Sequence, residues 1–288
     1  MAYKDILVYL DPTVETVERT RLAVSLAKAH GARLIGVDVS APSAGQEAET
    51  GAEVNRTFSD TTRTSGLTTV FVPADKPGES DSFTHCIDLM IAPGPESLAH
   101  GAMRRGALDR ALLESGAPML MLPPEWTPGP VGDNVVIAWN GGREALRAVH
   151  DAMPLLKRAK KVTLFAFSSR PSALRKSAEM LVDHLAAHGV KAEHISDWTN
   201  TGGLTAVEAL FASLDTQDAD LIVAGAFGHS RIYEGLFGGV TLDLMHQQSL
   251  PVLMSHWSGR RSVRLGEPDI HWSPRQGLQS KAPPARGC

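Results

Sequence analysis

Asp5-Ile6-Leu7-Val8-Tyr9-Leu10-Asp11 is a short apolar run that ends in a carboxylate, and it returns as Asn134-Val135-Val136-Ile137-Ala138-Trp139-Asn140, 129 positions further on when Asn140 is set against Asp11. An apolar run of this length bounded by polar residues reads as a buried strand of a parallel sheet. Its return at domain length predicts an internal repeat.

Working outward from these two strands, each half repeats the same order. Helical spacing of alanine and leucine follows at residues 14–30 and 143–157. Second strands follow at 33–39 and 162–167, so each half opens with a right-handed βαβ unit. Asp88-Leu89-Met90-Ile91-Ala92 then matches Asp220-Leu221-Ile222-Val223-Ala224, and Ala117-Pro118-Met119-Leu120-Met121-Leu122 matches Leu250-Pro251-Val252-Leu253-Met254. The expected class is α/β: two tandem doubly wound domains, each with an open parallel sheet.

The halves differ between their second and fourth strands. The C-terminal half reads as helix over 172–189, strand over 191–197 and helix over 204–214. Residues 41–66 of the N-terminal half are rich in Ala, Ser, Thr, Gly and Glu, and only Pro73 to Thr84 separates its third strand from its fourth, so that half is expected to have lost a helix or kept only a stub. Prolines 123, 124, 128 and 130 oppose helix and ladder alike and mark a short, stiff linker. The expected divisions are 1–124, a linker at 125–132, a second domain at 133–256, and a tail at 257–288. The tail has six basic residues against Glu267 and Asp269, a net of +4, with several prolines, so it reads as a solvated arm.

The bulk numbers bound the function. With 43% hydrophobic and 21% charged residues and no apolar run near the ~18 residues of a span, no transmembrane segment is expected. Nothing at residues 1–8 resembles a secretory signal, so a cytoplasmic address is expected by default. The cysteines, Cys86 and Cys288, have neither disulfide nor zinc spacing. A net charge of −4 gives no general attraction to nucleic acid.

The chemistry concentrates in Ala224-Gly225-Ala226-Phe227-Gly228-His229-Ser230-Arg231, which begins where a strand ends, and in Gly238-Gly239-Val240-Thr241, which opens another helix. Glycines at the carboxyl edge of a parallel sheet let backbone N–H groups approach phosphate oxygens, and a helix N-terminus adds positive potential. The spacing, glycine, two residues, glycine, nine residues, glycine, resembles the nucleotide loop of the universal stress protein family, written G-x2-G-x9-G-[ST]. The resemblance extends through the Asp-Leu-Ile-Val-Ala-Gly lead-in, the Gly-His-Ser-Arg that follows and the closing strand at 250–254, and with the repeat it covers nearly the whole chain.

That resemblance implies a five-stranded Rossmann-like sheet ordered 3-2-1-4-5 in each half, domains paired at their fifth strands as an internal pseudo-dimer with further homodimers open, and ATP with Mg bound where the motif is whole. Position by position, Gly225, Gly228 and Gly238 match the motif glycines, with Arg231, Val240 and Thr241 close by. Gly239 replaces the motif's Ser or Thr and removes one hydroxyl contact, worth about 1.5–3 kcal/mol for a hydrogen bond to a charged group. Asn140 stands where the family has an Asp that looks toward ribose and adenine. In the N-terminal half, Pro93-Gly94-Pro95-Glu96 replaces the first two glycines and Arg105-Gly106-Ala107-Leu108 the third, so Asp11 remains without a loop and no nucleotide is expected there.

No G-x-S-x-G elbow, Walker lysine or cysteine–histidine signature is present, so no catalytic residue is assigned. Asp11 and Asp38 end adjacent strands, where paired carboxylates could hold a metal or act as acid and base, though such residues more often cap the next turn. His184 and His188, at i and i+4, could share a helix face but lack a third ligand, and no metal site is expected. The resulting expectation is a stress-response sensor or regulator that binds adenine nucleotide. A slow ATPase and a nucleotide-free interaction or chaperone-like module stay open beside it.

Overall fold

The computed structural model describes residues 2–40, 47–74, 86–94, 107–124, 126–166, 171–195, 206–226, 244 and 249–256. The repeated apolar runs form strands β1 (Asp5–Leu10), β2 (Arg33–Asp38), β3 (Thr69–Val72), β4 (Leu89–Pro93) and β5 (Met119–Leu122), then β6 (Asn134–Trp139), β7 (Lys161–Ala166), β8 (Ala192–Ile195), β9 (Leu221–Gly225) and β10 (Val252–Ser255). Between them run α1 (Glu15–His30), α2 (Glu47–Thr62), α3 (Ala107–Glu114), α4 (Arg143–Leu156), α5 (Pro171–Ala187) and α6 (Ala206–Gln217).

The strands join in one ten-stranded sheet ordered β3-β2-β1-β4-β5-β10-β9-β6-β7-β8. Read from its outer edge inward, each half has the order 3-2-1-4-5. Within a half every pairing is parallel. The halves meet where β5 and β10 pair antiparallel, with Met121, Leu120 and Met119 opposite Val252, Leu253 and Met254. Side chains add further ties across this seam. The Tyr3 hydroxyl donates to the Asp151 carbonyl at 2.8 Å, Arg147 Nη2 to the Gly116 carbonyl at 2.9 Å and Arg158 Nη1 to the Ala29 carbonyl at 3.0 Å.

Strand alternation splits the core in two. Ile6, Val8 and Leu10 of β1 point to the face covered by α1, α2, α4 and α5, where they belong to one continuous core with Leu22, Phe58, Val149 and Leu181. Leu7 and Tyr9 point to the opposite face, covered by α3 and α6 through Leu112, Leu210 and Leu214. Apolar runs that are buried on both faces explain why the strands read as continuous hydrophobic stretches. Residues Met1–Ser258 form one compact unit, and Gly259–Cys288, which make up a second, lie outside the described residues.

A carboxylate secures the start of the first strand in each half. Asp88, just before β4, accepts hydrogen bonds on Oδ2 from the backbone N–H of Lys4 at 2.6 Å and Asp5 at 3.0 Å. Asp220, just before β9, accepts from Gly132 at 2.7 Å, Asp133 at 3.1 Å and Asn134 at 3.0 Å.

One expectation is corrected. Within residues 41–66 a full helix, α2, spans Glu47–Thr62 and packs Val54 and Phe58, one turn apart, into the core. Gly36 of β2 makes room for it, because a Cβ there would stand 2.8 Å from the Phe58 ring. The stretch between β3 and β4, where loss of a helix was also expected, falls at 75–85, outside the described residues.

Candidate functional site

In the second half, β6 has β9 on one side and β7 on the other. The chain leaves β6 toward β7 through α4 and comes back toward β9 through α6 on the opposite face. The carboxyl ends of β6 and β9 therefore flank the point where the winding reverses, and in open α/β sheets the crevice at that point is where ligands bind. Ala138 pairs with Ala224, so Gly225 stands level with Trp139, and Asn140 follows one residue further out at the same crevice.

Asn140 is exposed, and its carboxamide oxygen accepts the Gly142 N–H at 2.8 Å. The turn it closes puts Gly141 at φ +76°, in the left-handed region that favours glycine, and α4 starts at Arg143. A Cβ on Gly142 would stand 2.9 Å from that same oxygen. One lone pair of the Asn140 oxygen is thus committed to the turn, and its NH2 is free to donate toward a ligand at the crevice.

Gly225 has a packing duty. A Cβ there would lie 2.5 Å from the carbonyl carbon of Glu144 and 2.9 Å from its Cβ, so only glycine lets β9 end against the first turn of α4. Glu144 itself is 7% exposed and sits in that first turn, where the helix N-terminus favours a carboxylate. Sequence spacing gave no sign of Glu144, because a glutamate at a helix start is common and its burial depends on β9. Beyond Gly225 the Ala226 N–H donates to the Ser255 carbonyl at 2.9 Å, and His256 Nδ1 lies 3.2 Å from the Ala226 carbonyl. Gly228, Arg231, Gly238, Gly239, Val240 and Thr241 lie outside the described residues.

Beside the Asn140 turn, Trp139 Nε1 donates to Ser177 Oγ at 3.2 Å. From there a groove of about 600 Å³ runs between α4 and α5, floored by Trp139 and Leu181 and flanked by Leu146, Lys176 and Met180.

No family model matches the sequence, and no curated protein matches it. Solved structures do. A universal stress protein from Archaeoglobus fulgidus, 14% identical, superposes over 88% of this chain and 98% of its own with a TM-score of 0.69. The fold is that of the universal stress proteins. A functionally unknown protein from Pseudomonas aeruginosa PAO1, 16% identical, superposes over 88% of this chain and 93% of its own with a TM-score of 0.56.

Within this universal stress protein fold the first half has a buried ion pair at the end of β1, the position equivalent to Asn140 after β6. Asp11 and Arg19 are each 2% exposed and pair at 2.7 Å. The other Asp11 oxygen accepts from the Thr13 N–H at 3.0 Å and from the Thr16 hydroxyl at 2.8 Å, and Arg19 Nε donates to the Tyr9 carbonyl at 2.8 Å. Burial pushes the Asp11 carboxyl up, but Arg19 and these hydrogen bonds outweigh it and hold the group below its ordinary value. Pro93 ends β4 as Gly225 ends β9. The void bounded by Glu15, Glu18, Arg19, Pro93, Leu122 and Trp126 holds only about 10 Å³, at the lower limit for a single water.

Asp38, the other strand-end carboxylate, turns onto its own loop, accepting the Ser40 N–H at 2.9 Å and hydroxyl at 2.5 Å. Each of the two aspartates caps the turn that follows its strand. Among the described residues no helix is long and apolar enough to cross a membrane.

Proposed function

We propose that this chain is a tandem universal stress protein, with domains at 1–124 and 133–256, a linker at 125–132 and a tail at 257–288, whose C-terminal half binds one adenine nucleotide and serves as a sensor or regulator. The observation that carries this reading is the position of Gly225, the first glycine of the G-x2-G-x9-G spacing, beside Asn140 at the switch point of β6 and β9.

Each part of the site has a separate task. The backbone N–H groups of Gly228, Gly238, Gly239 and Val240 hold the phosphates, Arg231 supplies positive charge and Thr241 stands in for the hydroxyl that Gly239 lacks. Magnesium, bound with ATP, neutralises phosphate charge. Asn140 faces the ribose and adenine. Its oxygen is oriented by the Gly142 N–H, and its NH2 offers a donor where an ionised aspartate offers only acceptors, which favours the ring nitrogens or ribose oxygens as partners. The N-terminal half acts as a structural mate, since it lacks the glycine spacing and its strand-end carboxylate Asp11 is already paired with Arg19.

Calorimetric titration with ATP and magnesium, with mass spectrometry of any nucleotide that co-purifies, tests this. The expected result is one site per chain, lost in Gly228→Glu. Absence of binding at millimolar ATP overturns the nucleotide reading and leaves a protein-interaction module. Phosphate release in the same samples, abolished by Gly228→Glu, would make the protein a slow ATPase.

A further inference from the structure

We propose that His150, His184 and His188 form a binding site for a borderline divalent cation of the zinc class, clamping α4 to α5. His184 and His188 are one turn apart at the end of α5, and the backbone stays helical there, with the His188 N–H bonded to the carbonyls of His184 at 3.3 Å and Leu185 at 3.0 Å. The fold supplies what the sequence spacing lacks, a third imidazole from another element. His150 of α4 brings its Nε2 to 3.3 Å from Nε2 of His184.

At 3.3 Å the two ring nitrogens are within hydrogen-bond reach of each other when no ion is bound. The same separation suits metal binding, because two zinc–nitrogen bonds of ~2.0–2.1 Å meeting at the tetrahedral angle place the nitrogens roughly 3.3–3.4 Å apart. An ion can therefore take the place of the shared proton with little movement of either ring.

The His188 ring is edge-on to His184 with centroids 4.7 Å apart, and the His150 and His184 centroids are 5.5 Å apart. Among the described residues no three ligands are already gathered about one point, so His188 joins by rotating its side chain. It is exposed, and such a rotation is a picosecond-to-nanosecond event. Three imidazoles without carboxylate or thiolate select zinc, copper or nickel over magnesium and calcium. The fourth position is left to water at the end of the groove between α4 and α5, which His184 lines. This site is independent of the nucleotide reading.

The test uses the full chain, stripped of metal and titrated with cobalt(II) near neutral pH, then with zinc(II) as competitor. One cobalt per chain is expected, with the strong visible absorption of a four-coordinate ion, displaced by zinc. His150→Ala and His184→Ala should each weaken zinc binding by more than the roughly 10–100-fold typical of losing an outer-shell partner. His188→Ala should turn the cobalt spectrum to the weak six-coordinate form. Far-ultraviolet circular dichroism confirms that the variants, all at surface positions, stay folded. A weak six-coordinate spectrum in the parent protein, absence of binding, or unchanged zinc affinity in His150→Ala overturns the proposal and makes the contact a hydrogen bond between surface rings.

Discussion

Gly225 lies so close to the first turn of α4 that a Cβ on it would stand 2.9 Å from the Cβ of Glu144. The motif's first glycine is thus required by helix–strand packing whatever the ligand. Gly225→Ala should lower stability by about 1–3 kcal/mol, the usual penalty of overpacking, and the melting temperature by several degrees. Thermal denaturation checks this. Loss of nucleotide binding in that variant alone would say little about phosphate contact, so Gly228 is the position to change for that purpose.

Removing one partner of a buried ion pair strands the other. Asp11→Ala leaves the Arg19 guanidinium, 2% exposed, without its carboxylate. Urea unfolding should show a loss of about 3–5 kcal/mol. A loss under about 1 kcal/mol would mean that the pair behaves like an exposed one.

Two aspartates should act in opposite directions on acidification. Burial raises both carboxyls. At Asp11 the guanidinium and threonine hydrogen bonds bring the net shift below the ordinary value, whereas at Asp220 the three backbone donors do not overcome burial and the net shift is upward. Asp11 therefore contributes stability that is present above its unfolded pKa and lost as pH falls through its lower folded pKa. Asp220, raised, contributes in the other sense, and its relative stabilisation fades as pH rises through the folded value. Between neutrality and about pH 3, stability should fall less in Asp11→Asn than in the parent protein, and more in Asp220→Asn. Parallel slopes in all three would contradict the assignment.

The seam between the halves should make unfolding a single event. Tyrosine fluorescence, tryptophan fluorescence and circular dichroism are expected to share one midpoint, because β5 and β10 belong to one sheet. Tyr3→Phe, which removes the hydroxyl bonded to Asp151, should lower stability by about 0.5–1.5 kcal/mol while keeping that coincidence. Separate transitions for the halves would refute it.

Most strands could be read from the sequence because apolar runs buried on both faces have no competing period and recur in both halves, whereas their order in the sheet was implied only by the family resemblance. Helix α2 could not be read in this way. It has Gly51 and four threonines, and its buried stripe rests on Val54 and Phe58, whose place depends on the missing side chain of Gly36 in another element. The placement of Asn140 and Gly225 at the ends of matching strands was legible in the sequence. The commitment of the Asn140 oxygen to Gly142 was not, since it follows from the backbone angles of Gly141. Asp11 was recognised as a strand-end carboxylate, but its partner Arg19 sits two helical turns away and shows itself only once α1 is laid on β1. The third histidine was hidden for the same reason, since His150 and His184 are 34 positions apart.

The antiparallel join of β5 to β10 has a consequence for how the protein responds to abundance. Two sheets that must find each other in solution come apart on dilution, whereas two sheets on one chain meet at an effective concentration set by the length of the connection. The residues between β5 and β10 fix that concentration, so the paired state is insensitive to how much of the protein a cell makes. Each molecule therefore carries its own paired halves, and synthesis changes the number of such pairs without changing their state.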